Sequence, residues 1–113
     1  MADIIKGRFY FKQTTNGNLI GEWSNYETEP ATESSDFQGE FKDVPFVGTY
    51  FTTWQEKGMA QFYVLEITKV TKPINSKKFD LKWINKKQTL TFTGQAMLCD
   101  NILIGDYNYC GKP

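Results

Sequence analysis

The sequence predicts an all-β protein, an eight-stranded antiparallel up-and-down β-barrel formed as a single domain over residues 1–113. Three observations predict it. Apolar residues recur with a period of two along nearly the whole chain, as in a pleated ribbon with one dry face. Short segments rich in Asn, Asp and Gly interrupt these ribbons at hairpin spacing. Aromatic residues make up 16% of the chain, an excess that suits half-buried pleated surfaces. Eight strands can close on themselves around an interior just wide enough for packed side chains or one small ligand.

The first strand is expected at 4–12, where Ile5, Gly7, Phe9 and Phe11 alternate with Lys6, Arg8, Tyr10 and Lys12. Asn16-Gly17 supplies the positive φ of a tight hairpin. Leu19, Gly21, Trp23 and Asn25 then share one face of the second strand. Residues 27–36, ETEPATESSD, are acidic, Ser/Thr-rich and contain a proline, which reads as a surface loop. A short third strand follows at 37–42, and Asp43 to Pro45 turn the chain. Phe46, Gly48, Tyr50, Thr52 and Trp54 alternate on the fourth strand. After the turn Glu56-Lys57-Gly58, residues 59–70 are apolar on both faces. One face is expected to line the core and the other to meet a partner or a neighbouring element. The loop 71–77 leads to Phe79, Leu81 and Trp83, and the turn 85–87 to Leu90, Phe92, Gly94, Ala96 and Leu98. Asp100-Asn101 turns into the last strand, 102–109.

One internal echo stands out. Asn18-Leu-Ile-Gly-Glu-Trp-Ser-Asn-Tyr26 resembles Ile102-Leu-Ile-Gly-Asp-Tyr-Asn-Tyr109. Glycine weakens a strand, so its recurrence at Gly7, Gly21, Gly48 and Gly105 wants a cause. A sharp bend with room for an aromatic ring is the expected one.

Composition excludes several functions. Thirteen basic residues balance thirteen acidic ones, so the electrostatic footprint of a nucleic-acid binder is absent and no nucleic-acid partner is expected. Zero formal charge also leaves little repulsion between copies, and a homo-oligomer is expected through the 59–70 surface. No apolar run approaches membrane-spanning length, and MADIIKG does not read as a secretory signal. A cytoplasmic protein with no membrane partner is expected. With no histidine, the usual base of a nucleophilic triad and the usual zinc ligand are missing. Cys99 and Cys110 read as free thiols, since the register expected around Asp100-Asn101 keeps their sulfurs apart. Glu22, Asp106, Glu66 and Asp80 alternate away from the aromatic face and read as solvated acids. The expectation is therefore no enzyme, no metal and no cofactor.

In order along the chain, Leu19-Ile-Gly-Glu-Trp-Ser-Asn25, Gly39-Glu-Phe41, Gly48-Thr-Tyr-Phe-Thr52, Phe79-Asp-Leu-Lys-Trp83 and Phe92-Thr-Gly-Gln95 resemble the strand motifs of the avidin and streptavidin family. Lipocalins, also eight-stranded barrels, share the opening Gly-x-Trp. The resemblance implies a ligand at one barrel mouth. Asn25 and Tyr50 would grip a carbonyl, Thr52 would sit near the ligand's rings, and Trp83 and Phe92 would line an apolar wall with Trp23. The departures are substantial. Tyr107 stands where the family carries a Trp, the family's last strand has no counterpart before Pro113, and an extra strand precedes the Gly-x-Trp motif. Ser34 and Ser35 are what residues 27–36 offer in place of a ligand-covering loop. Biotin itself is not expected. The leading expectation is a non-enzymatic barrel for a small, partly apolar ligand, with Trp23, Asn25, Tyr50, Thr52, Trp83 and Phe92 as its site. The alternative is an interaction or inhibitor module with a solid core and its function on loops 27–36 and 71–77. A third reading is an isomerase or cyclase that shapes a reactive ligand. Cavity volume decides between the first two.

Overall fold

A computed structural model describes residues 6–42 and 44–110. Ile4 and Ile5 of the expected first strand, Asp43 of the expected turn and Pro113 lie outside the described residues. Eight strands follow in chain order: β1 Gly7–Gln13, β2 Leu19–Asn25, β3 Thr28–Phe37, β4 Gly48–Glu56, β5 Met59–Lys69, β6 Lys78–Ile84, β7 Leu90–Cys99 and β8 Ile102–Tyr109. Each pairs antiparallel with the next, and β8 pairs with β1, so the sheet closes as an up-and-down barrel. The alternating pattern does what it predicts: Phe9, Phe11, Leu19, Trp23, Leu65, Leu81 and Leu103 all turn inward and are buried.

The tight turns follow their residues. Lys57-Gly58 and Asp100-Asn101 take positive φ at both positions, closing the two-residue hairpins Glu56↔Met59 and Cys99↔Ile102. Residues 14–18 form a wider loop, in which Gly17 alone is left-handed (φ 94°). Neither Cys99 nor Cys110 is in a disulfide.

The third strand lies elsewhere than expected. Residues 28–37 are not a loop but β3, bonded on one side to β2 and on the other to β4. Gly39 to Lys42 are irregular, so the strand expected at 37–42 contributes only Phe37. The acidic, hydroxyl-rich composition conceals an ordinary alternation: Ala31, Glu33, Ser35 and Phe37 face in, while Thr32, Ser34 and Asp36 face out. Pro30 is accommodated because the register with β2 shifts between Trp23 and Asn25, at a bulge where no ladder bond is required of it.

The barrel has two different ends. At one end lie residues 14–18, 38–42, 44–47 and 70–77 and the turn at 100–101. Here Phe46 folds into the interior and is 3% exposed. It precedes β4 rather than belonging to it, at φ 66°. Two hydrogen bonds hold this left-handed backbone: the Phe46 N–H donates to Gln13 Oε1 (2.6 Å), and the Tyr50 hydroxyl donates to the Phe46 carbonyl (2.7 Å). Phe46 packs on Phe79 and Phe37 on Phe41, closing this end with aromatic rings. The other end carries the short connections 26–27, 57–58 and 85–89 and is open.

The echoed segments are β2 and β8, the two strands flanking β1. Leu19 and Leu103 occupy matching buried positions, and Trp23 and Tyr107 matching positions toward the open end. At Gly21 a Cβ would strike the Tyr10 carbonyl and come 2.7 Å from the Phe11 ring, so glycine lets the strands approach under an aromatic.

Candidate functional site

The open end holds a cavity lined by Lys6, Phe9, Trp23, Asn25, Glu33, Trp54, Glu56, Trp83, Phe92 and Tyr107. Water centres have about 60 Å³ to occupy, inside about 460 Å³ of empty space once the mouth is counted. That is room for several waters or one small head group, not for a large ligand. The bulges beside Trp23 and Trp83 lie at this end, where bulges re-aim side chains at barrel rims. The rings cross steeply: Trp23 on Trp54 at 75° and Phe92 on Tyr107 at 85°. They form walls of a box rather than a stack.

Four of the six residues expected from sequence line this cavity: Trp23, Asn25, Trp83 and Phe92. Asn25 is less free than expected. Its Nδ2 donates to the Tyr107 hydroxyl (3.2 Å), and its Oδ1 accepts the Glu27 N–H. Thr52 lies beneath the cavity, bonded to Glu33. Tyr50 is not part of it. Its ring is 0% exposed at the closed end, where its hydroxyl accepts from Gln13 and donates to Phe46. Burial pushes it up to about 12, with the Gln13 bond opposing. Asn25 and Tyr50 therefore do not converge on one ligand atom, because Asn25 ends β2 while Tyr50 is pinned beside the start of that strand. Ser34 and Ser35 cover nothing, since they sit within β3, and Ser35 is buried.

The residue that sequence reasoning missed is Glu33. It is 3% exposed, at the floor of the cavity. Its Oε2 accepts from the Thr52 hydroxyl (2.6 Å) and from Trp83 Nε1–H (3.0 Å), while no donor among the described residues bonds its Oε1. Ser35 lies 2.7 Å from the Thr52 hydroxyl and donates to it, since the single Thr52 proton goes to Glu33. Burial raises the Glu33 carboxyl from 4.5 to about 7 against the lowering effect of Thr52 and Trp83. With both lone pairs of Oε2 taken by donors, the titrating proton belongs on Oε1. Tyr107 is also raised, first by burial, then by the charges of Glu56 and Glu33, with Asn25 opposing. At the rim, Trp54 Nε1–H donates to Glu56 Oε1 (3.2 Å). Trp23 Nε1–H is buried without a partner among the described residues. The signal that points to Glu33 is its spacing from Ala31, Ser35 and Phe37, which sets it on an inward face once the segment is a strand.

The acids expected to be solvated face outward, and Glu22 accepts a bond from the neighbouring Tyr10 hydroxyl. Among the described residues no cluster of His, Cys, Asp and Glu is arranged to hold a metal. Compared with protein-family models, with curated proteins and with solved structures, the chain matches none. What it shares with avidins and lipocalins is the closed eight-stranded antiparallel barrel.

Proposed function

We propose that this protein is a non-enzymatic barrel that binds one small, partly apolar molecule in its open end. The observation that carries this reading is a preformed cavity walled by Phe9, Trp23, Trp54, Trp83, Phe92 and Tyr107 and floored by a buried carboxyl. Most of these rings are buried and touch one another at their edges, yet they leave a space between them, and a solid core would not hold an ionisable group beside empty space. The avidin-like order of motifs supports a mouth-bound ligand. Biotin is not proposed, because the Asn25 and Tyr50 pair that would hold its carbonyl lies at opposite ends of the barrel. The inward aromatics and outward charges are the reverse of a lipid-facing barrel and favour a ligand taken from water.

A second reading keeps a place. The interaction module loses residues 27–36 as a loop, since they are β3. Yet Phe51 and Phe62 stand 58% and 54% exposed on the outer face of β4 and β5. Phe51 pairs with Val64 and Val64 with Ile84, making one apolar strip. A second copy of this chain, whose net charge is zero, is the occupant proposed for it. Native mass spectrometry of freshly purified protein reads both features. A bound small molecule that is lost in Phe92→Ala supports the cavity reading, and a dimer lost in Phe62→Glu supports the strip. A monomer free of any adduct, with titrated small molecules leaving tryptophan fluorescence unchanged, refutes both.

A further inference from the structure

We propose that the open cavity takes the head group of a small organic ammonium ion, with the Glu33 carboxylate as its counter-ion and the surrounding rings as its walls. This rests on the binding reading above and names the ligand class. The argument begins with what each wall can offer. Aromatic rings at steep angles attract a cation through their electron-rich faces, most strongly for Trp, and three tryptophans line this space. Rings alone would serve any apolar group. A carboxyl at the floor changes the selection, since burying an acid costs free energy unless something compensates it.

Glu33 is only half compensated. Thr52 and Trp83 bind Oε2, and Oε1 has no donor among the described residues. The donors on Oε2 are arranged for the ionised form: Trp83 Nε1–H can only donate, and Ser35 directs the Thr52 proton onward to Glu33. The floor therefore holds one carboxyl oxygen with two donors, which favour the ionised form, and turns the other toward the cavity. An ammonium ion supplies a partner for that oxygen while its carbon substituents meet the rings. The charged groups that share the cavity are Lys6 before β1 and Glu56 at the end of β4, with Tyr107 on β8 as a further titratable wall. Counting Glu33, the fixed charges sum to one negative, which the ligand would neutralise. Trp23 Nε1–H, buried and unpartnered, is the donor left over for an oxygen on the same ligand.

The proton balance is explicit. When the cation binds at a pH where Glu33 is protonated, Oε1 releases its proton to solvent and a carboxylate–ammonium pair forms. Affinity must then rise with pH until Glu33 is ionised in the free protein. A neutral ligand that accepts a hydrogen bond from protonated Oε1 would show the opposite slope.

The test uses the full chain, choline chloride and its uncharged carbon isostere 3,3-dimethylbutan-1-ol, followed by calorimetry and tryptophan fluorescence from about pH 5.5 to about 8.5. Choline is expected to bind about tenfold or more tighter than the isostere at high pH. Its affinity should fall about tenfold per pH unit at the acidic end, with about one proton released per ion bound there. Glu33→Gln, which keeps an acceptor for Thr52 and Trp83, should bring choline to the isostere's affinity and flatten the pH profile. A slope that survives this variant does not come from Glu33 and overturns the assignment. Equal binding of choline and isostere, or affinity rising as pH falls, overturns the ammonium ion but leaves the binding barrel standing. If neither probe binds while native mass spectrometry finds an uncharged adduct, the outcome is the same. If neither binds and no adduct exists, both readings fall.

Discussion

Glu33 and Tyr50 show how little a residue's type says about its task. Both are polar, and both sit deep inside the barrel. The Tyr50 hydroxyl is saturated by Gln13 and Phe46 and works as a clamp. Glu33 keeps an oxygen free and borders empty space. That difference has a thermodynamic consequence. Because the folded protein holds the Glu33 proton up to about pH 7 while the unfolded chain releases it near 4.5, folding takes up a proton between those values. The Glu33 contribution to stability is therefore complete below pH 4.5, declines as pH rises to about 7, and is level beyond. Glu33→Gln removes the decline. The variant should match the parent near pH 5 and exceed it at pH 8 by on the order of 3 kcal/mol or less. Thermal melts of the two proteins across this range measure the difference. A parallel pair of curves would show that the carboxyl is not buried.

At the scale of elements, β3 carries the site, although its composition is that of a loop. Its strand character comes from pairing on both sides and not from propensity, since Glu, Ser, Asp and Pro are poor strand formers. Its outward residues meet water and can be polar. Its inward residues can be polar because they bond one another's neighbours, as Ser35 does with Thr52. Ser34 is exposed and pairs with Ile20 on one side and Thr53 on the other. In a surface loop Ser34→Pro would be harmless. In this interior strand it removes a ladder donor and should lower the midpoint in urea denaturation. An unchanged midpoint would return residues 28–37 to a loop. The echo of β2 and β8 belongs to this scale too. Gly21 lets β2 approach the Tyr10 backbone of β1, and Gly105 lets β8 approach the Gln95 and Ala96 backbone of β7, and each strand carries a large aromatic two residues further on, Trp23 and Tyr107.

Taken whole, the barrel is a cup. Phe46, held in a left-handed conformation by Gln13 and Tyr50, closes one end, and the other end stays open above Glu33. The two ends share no side chain among these groups, so changes at one should barely affect the other. Phe46→Ala should cost about 3 kcal/mol or more of stability through the void it leaves. Ligand affinity at the open end should stay within about twofold of the parent's. Calorimetric melting and a binding titration on the same sample separate these effects. A comparable loss of affinity would mean that the cavity extends through the barrel.

The sequence by itself determined the alternation, the hairpins at Lys57-Gly58 and Asp100-Asn101, the number of strands, and the inward course of Trp23, Trp83 and Phe92. These follow from local rules, a period of two and turn chemistry, that need only neighbouring residues. Closure decided the rest. It made residues 28–37 a strand by bringing β2 and β4 to its two sides, and it turned Phe46 into a plug. It also parted Tyr50 from Asn25 and enclosed Glu33 with Thr52 and Trp83. Whether a polar side chain faces water or a cavity is a property of what lies across the barrel, and that is contributed by residues dozens of positions away.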